Sequence, residues 1–406
     1  MTDLRLAAHE TLIVANPPPS FGGRYFIFVK VITACGLIGW GEVYAASVGP
    51  EAMRAVIADV FTRHMEGTSA ERVELMFRRT YSAGFTQRPD PTVMGAFSGL
   101  EMACWDILGQ ARGRPVHALL GGRVQDRLRA YTYLYPEEGE DPAAFYASPA
   151  RAAETAAARV AEGWTAVKFD PAGPYTIMGG HQPLAGDIAL SVAFCAEIRA
   201  AVGDRADLLF GTHGQFTASG AIRLAEAIAP HRPLWFEEPV PPDNPHAMAA
   251  VAEASPIPIA AGERLTTRAE AWPLIRAGAV GVLQPALGRI GGIWEARKLA
   301  ALAETACIQI APHLYAGPIA WAASLHLAAA LPNLLMVETI ETPFHAALIG
   351  GAHKVRDGHI AATDAPGLGI TVDEALAREH PWTGGPLHLE MQQRAHLPGS
   401  VGWAGG

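Results

Sequence analysis

Pro233-Leu234-Trp235-Phe236-Glu237 and Ile257-Pro258-Ile259-Ala260-Ala261-Gly262-Glu263 are two short apolar runs that each end on an acidic residue. Glu237 and Glu263 lie 26 residues apart, about the length of one strand–helix unit. The beat continues in both directions. Position 286 follows by 23 residues, His313 by 27 more and Glu338 by 25 more, while His213 precedes Glu237 by 24. Counting the apolar runs gives candidate strands at 128–135, 165–169, 207–210, 233–236, 257–261, 280–283, 307–310 and 334–337. Helical patterns fill the gaps. Thr217 is placed to cap a helix whose Ala221, Leu224, Ala225 and Ile228 share one face. Thr267 with Glu270 reads as a capping box, with Pro273 weakening the helix that follows. Eight repeats of strand and helix predict a closed parallel α/β barrel. Its strand ends converge at one mouth, where polar groups cost burial energy unless they find partners.

Upstream the pattern differs. Tyr25-Phe26-Ile27-Phe28-Val29-Lys30-Val31-Ile32 and Leu37-Ile38-Gly39-Trp40-Gly41-Glu42 read as strands, with Gly36 turning between them. From 51 to 121 the apolar spacing is helical, best seen at Ala103, Ile107, Leu108 and Ala111. The expected organisation is an α+β capping domain over 1–125, a barrel over 126–360, and a tail over 361–406 that returns to the cap. One connection, 171–183, is rich in Gly and Pro and follows the second barrel strand at the mouth, the place of a lid or binding loop.

Composition excludes several classes. Of 406 residues half are apolar and 17% are charged, which is too much buriable surface for a disordered chain. The net charge is −9 with no basic cluster, so nucleic acid is not an expected partner. Cys35, Cys104, Cys195 and Cys307 are scattered with no CxxC, and read as reduced, buried thiols of a cytoplasmic protein. The N-terminus carries no signal-peptide pattern. The uncharged stretch 305–336 is long enough to span a bilayer, but three prolines and two histidines make it two buried strands with a helix between, so no membrane is expected. A glycine-rich phosphate loop is absent, which leaves nucleotide binding unsupported.

Gly99-Leu100-Glu101-Met102-Ala103-Cys104-Trp105-Asp106-Ile107, Phe236-Glu237-Glu238-Pro239, Ala261-Gly262-Glu263-Arg264, Pro312-His313-Leu314 and Asp364-Ala365-Pro366-Gly367-Leu368-Gly369 stand in an order that resembles the enolase superfamily. Within it the chain is similar to the mandelate racemase-like branch and its galactonate- and mannonate-type acid-sugar dehydratases. The resemblance implies a modified TIM barrel, (β/α)7β, under an α+β capping domain completed by the C-terminal tail. It implies abstraction of the proton α to a carboxylate, with Mg²⁺ stabilising the enediolate.

The residues carry that implication unevenly. Glu237 and Glu263 match two of the three metal carboxylates, while Gly211 stands where the third is expected. The second strand has Lys168-Phe169-Asp170 in place of Lys-x-Lys, so Lys168 matches the contact to the substrate carboxylate. Asp170 is the expected replacement third ligand. His313 is the expected base and His213 the expected acid for the departing 3-hydroxyl. Ala286 stands where the family has an Asp that orients the seventh-strand His, so Tyr175 in the 171–183 loop is a rival base. Glu338 matches a hydrogen-bonding partner of the substrate carboxylate or enediolate. The expected reaction is dehydration of a sugar acid to a 2-keto-3-deoxy acid. Cycloisomerisation or epimerisation through the same enediolate, and a barrel that only binds a sugar acid, are the alternatives. Residues 21–25 and 44–49 are expected near the distal end of the substrate, and a symmetric homo-oligomer is expected of such a barrel.

Overall fold

The computed structural model describes residues 3–395, except 45–47, 138, 174, 352–354 and 388–389. The chain begins with an antiparallel sheet, β1 (Leu6–Ala15), β2 (Tyr25–Thr33) and β3 (Ile38–Val43), in the order β1-β2-β3. Helices α1 (Pro50–Val60), α2 (Val73–Tyr81) and α3 (Pro91–Arg112) cover it. Sixteen of the 22 residues of α3 are buried, because it is wedged between this sheet and the rest of the molecule. Asp90 caps α3 by accepting from the amides of Thr92 and Val93, and left-handed Gly113 ends it.

Eight parallel strands follow: β4 (Leu128–Tyr133), β5 (Ala166–Phe169), β6 (Asp207–Gly211), β7 (Trp235–Glu237), β8 (Ile259–Ala261), β9 (Val282–Leu283), β10 (Gln309–Ile310) and β11 (Val337–Thr339). Each pairs with the next from β4 to β10, and β11 pairs back onto β4. The circle closes where Ile310 meets Leu334, with the Leu335 amide donating to the Ile310 carbonyl at 2.8 Å. Every expected strand is present, several shortened by one or two residues. Short β12 (His359–Ile360) pairs antiparallel to β4.

The chain then returns to the cap. Val14 bridges Pro381, the Trp382 amide donates to the Ile13 carbonyl at 3.0 Å, and Arg378 pairs with Glu10 at 2.6 Å. Two local readings change. The helix Thr267–Arg276 is capped at Thr266, whose amide donates to Glu270 at 2.6 Å, and Pro273 lies inside it. Buried Thr267, Ala271, Leu274 and Ile275 hold the helix together against a proline cost of about 3 kcal/mol. Cys35 and Cys307 are exposed rather than buried, because both fall in turns, Cys307 at the head of the 307–310 run where the strand begins only at Gln309; Cys104 and Cys195 are buried as expected. No helix among the described residues is long and apolar enough to cross a membrane. The stretch 305–336 folds into β10, the helix Pro318–Ala329 and the approach to β11.

Candidate active site

The barrel interior is built in layers. Tyr131, Ala166, Leu209, Trp235, Ala260, Val282, Ala311 and Met336 form one closed apolar cluster, one residue from each strand or its flank. Side chains alternate faces along a strand. Two residues further on, towards the strand ends, stand Tyr133, Lys168, Gly211, Glu237, Gln284, His313 and Glu338. One more step gives Asp170, His213 and Ala286. The site is therefore the polar storey above a sealed apolar floor.

At its base Lys168 Nζ donates to Glu237 Oε1 at 2.6 Å and lies 3.7 Å from Glu338 Oε1. All three are at least nine-tenths buried. The other oxygen of Glu237 accepts from Trp235 Nε1 at 3.1 Å and Gln284 Nε2 at 2.8 Å. Burial works against the Lys168 ammonium, yet Glu237 and Glu338 outweigh it and hold its pKa well above the ordinary lysine value. Glu338 accepts from the Leu314 amide at 2.7 Å, and burial pushes its carboxyl upward. Glu238 faces away from this group and pairs with Arg264 at 2.7 Å.

Two histidines face Glu263. His313 Nε2 lies 3.3 Å from Glu263 Oε2, and His213 Nε2 lies 4.0 Å from Glu263 Oε1. Burial pulls His313 down to about 4 against the opposing pull of Glu263, so its imidazole is neutral near pH 7. Burial pulls on His213 too, but Glu263 and Asp170 prevail and raise it to about 9, so it carries a proton. A neutral imidazole can accept a proton and an imidazolium can give one up. Among the described residues the buried Nδ1 of His313 has no hydrogen-bond partner, and Ala286 offers none.

Asp170 sits at the rim between two tyrosines. Its oxygens accept from the hydroxyls of Tyr133 and Tyr175, and Oδ2 lies 3.2 Å from His213 Nδ1. The Tyr175 ring lies 4.4 Å from the His213 ring. Asp170 also crowds the neighbouring strand: a Cβ on Gly211 would lie 3.3 Å from Asp170 Cβ and 3.6 Å from Lys168 Cε. Phe169 is register-paired with Phe210, so Asp170 leans over the place from which a residue-211 side chain would emerge.

Two features bear on a cation. Among the described residues, no three His, Cys, Asp or Glu side chains are gathered closely enough to hold an ion as they stand. The donor chemistry nonetheless fits a hard divalent ion. Asp170, Glu237, Glu238, Glu263 and Glu338 outnumber Lys168 and Arg264, and the buried Oε2 of Glu263 accepts no hydrogen bond among the described residues. Glu237 uses three acceptor positions of about four, leaving one.

The structure places Lys168, Glu237 and Glu338 in one contact group and His313, Glu263, His213, Asp170 and Tyr175 in another, and does not gather Glu237, Glu263 and Asp170 into a ligand set as they stand. Tyr133, Trp235 and Gln284 were missed. For Tyr133 and Gln284 the signal was period two, since they stand at the ends of their strands, level with Lys168 and Glu237; Trp235 carried none. Phe21, expected near the mouth, stacks on Tyr135 at 4.0 Å, and Tyr44 meets His313 edge-on at 6.2 Å with the Arg289 guanidinium 4.4 Å over the Tyr44 ring. Residues 45–47 of the expected 44–49 contact lie outside the described residues.

A barrel with seven helical connections, a cap sealed by both ends of the chain and carboxylates at successive strand ends define an enolase-type architecture. Residues 13–121 match the mandelate racemase/muconate lactonizing enzyme N-terminal domain, and residues 151–376 match the enolase C-terminal domain-like family. The chain belongs to the mandelate racemase/muconate lactonizing enzyme family. It is 34% identical to a D-galactonate dehydratase of Ralstonia nicotianae over 87% of this chain and 90% of that one. It is 30% identical to a D-xylonate dehydratase of Haloferax volcanii over 88% of this chain and 86% of that one. A crystal structure of a mandelate racemase/muconate lactonizing enzyme-like protein from Roseovarius sp. TM1035 superposes with a TM-score of 0.95 at 65% identity, covering 96% of this chain and 99% of that one.

Proposed function

We propose that this chain dehydrates a sugar acid to a 2-keto-3-deoxy acid and uses a divalent cation, Mg²⁺, to do so. The observation that carries the reading is the pairing of two histidines, His313 and His213, on Glu263 above the buried Lys168–Glu237–Glu338 group. Dehydratase names among relatives aligned over most of the chain support it.

Glu237 and Glu263 would hold the cation, with Asp170 as the third carboxylate. Support for Asp170 comes from Gly211, whose missing side chain leaves the space that Asp170 overhangs. When bound, the cation supplies electrostatic stabilisation to the substrate carboxylate as negative charge develops on it. Lys168 and Glu338 bind and orient that carboxylate from below. His313 takes the proton from C2. The C3–O bond then breaks, and His213 gives its proton to the departing hydroxide, which leaves as water. The resulting enol tautomerises to the 2-keto acid. Tyr175, beside His213, is the rival for the C2 proton on the opposite side of the site. The chain is read as a cytoplasmic enzyme of small sugar acids.

The test is a panel of acid sugars, assayed for 2-keto acid with and without Mg²⁺. The expected result is one or a few substrates converted only with the cation. Failure of every acid sugar to give keto acid or to exchange its C2 proton with solvent would sink the reading.

A further inference from the structure

The loop carrying Tyr175 is held by a distant part of the chain. The Gln392 amide donates to the Tyr175 carbonyl at 2.8 Å, and the Ile177 amide donates to the Gln392 carbonyl at 3.0 Å. Thr176 and Gln392 thereby form a parallel bridge, with Thr176 buried between them. Further along, the loop is pinned a second time, by the His181 amide to the Gln215 carbonyl at 2.9 Å and the Thr217 amide to the His181 carbonyl at 3.0 Å. The side chains of Ile177 and Met178 stand about half exposed. Among its described residues the segment contains no helix or strand of its own. A loop without internal structure keeps its position only through such contacts.

We propose that the main chain of Gln392 is a positioning element for the reaction. It fixes the backbone on both sides of Thr176 so that the Tyr175 hydroxyl reaches Asp170 and its ring lies against His213. The C-terminal tail, beyond sealing the cap, is then part of the reaction site. Reacting groups lose rate steeply when displaced by an ångström, so a strap acting on the backbone of Tyr175 acts on turnover.

The proposal rests on the reading of Tyr175 as a group of the reaction site, and its test has two readouts that fail separately. Gln392→Pro removes the N–H that the Tyr175 carbonyl accepts. In the full-length chain, hydrogen exchange at the Ile177 amide should accelerate about tenfold, the loss of one hydrogen bond's worth of protection. Gln392→Ala keeps both main-chain bonds and should restore the parental rate. For keto-acid formation, Gln392→Pro should lower kcat about tenfold with KM changed less than about twofold. In a Tyr175→Ala background, which lacks both the hydroxyl and the ring, the same change should cost less than about twofold, because the two act through one group. Unaltered exchange at Ile177 overturns the strap. Faster exchange with parental kcat, or an undiminished loss in the Tyr175→Ala background, overturns the positioning role. Absence of turnover by the parent chain fells the proposed function and the positioning role with it, while the exchange result still decides the strap.

Discussion

His313 and His213 approach one carboxylate, Glu263, yet their surroundings give them opposite protonation states. His313 is enclosed and, among the described residues, has Glu263 as its one acidic neighbour within ion-pair distance, whereas His213 has Asp170 on its other ring nitrogen. Division of labour follows. His213→Gln should lower keto-acid formation by about 100-fold or more while C2 deuterium exchange persists, as measured by NMR in deuterated buffer. His313→Asn should abolish both. Lys168→Met leaves Glu237 buried without its cation and should cost about 3–5 kcal/mol in a denaturant titration. At this scale the sequence was partly legible. Glu237, Glu263, His313 and Glu338 stood out because a polar residue recurs after each apolar run. Trp235 did not, because an indole inside an apolar run gives no sign that its N–H serves Glu237. Asp170's two tyrosine partners come from different elements, one on β4 and one in the loop, and no local pattern links them.

Between cap and barrel, buried carboxyl groups do the joining. Glu101 of α3 accepts from the amides of Ile293 at 2.7 Å and Trp294 at 2.9 Å, at the start of the helix Gly292–Thr305. Gly292, at φ +88°, must be glycine there, since a Cβ would lie 2.1 Å from the Glu101 carboxylate. Glu42 of β3 accepts likewise from the amides of Gly317 at 2.5 Å and Ala320 at 2.9 Å, at the start of the helix Pro318–Ala329. Each carboxyl complements the positive end of a barrel helix. Glu101→Ala should destabilise the chain by about 2–4 kcal/mol, read from its denaturation midpoint. Burial pushes Glu42 up to about 7 although the amides of Ala320 and Gly317 favour its charged form. The unfolded chain releases this proton near 4.5 and the folded chain near 7. Across that interval the folded state holds more protons, so stability declines as pH rises. The stability advantage of the parent over Glu42→Gln should therefore be greatest below pH 4.5 and shrink by about 1–3 kcal/mol towards about pH 7.5. These elements were foreseen as strands and helices, but their docking was not. Glu42 and Glu101 looked like ordinary motif residues because their partners are backbone amides more than 190 residues away.

Across the whole molecule, the barrel was legible because its unit repeats, so each strand predicts the next. The cap was legible as an α+β unit. A closed barrel and a tail returning to the cap were expected; what the sequence withheld was how they are made, the β10–β11 seam resting on the Ile310–Leu334 bridge and the tail reaching on to the 171–183 loop. Such contacts depend on three-dimensional return of the chain, which periodicity does not encode. The proposed chemistry needs the whole site, with carboxylates, a cation and His313 acting together on the C2 proton. The decisive measurement is incubation of the chain with an acid-sugar substrate in deuterated buffer, before and after chelation, alongside His313→Asn. Deuterium at C2 or keto-acid product is expected only with the cation, with one ion bound per chain, and neither signal from the variant. Undiminished product after complete chelation, with His313→Asn as active as the parent, would rule out this chemistry.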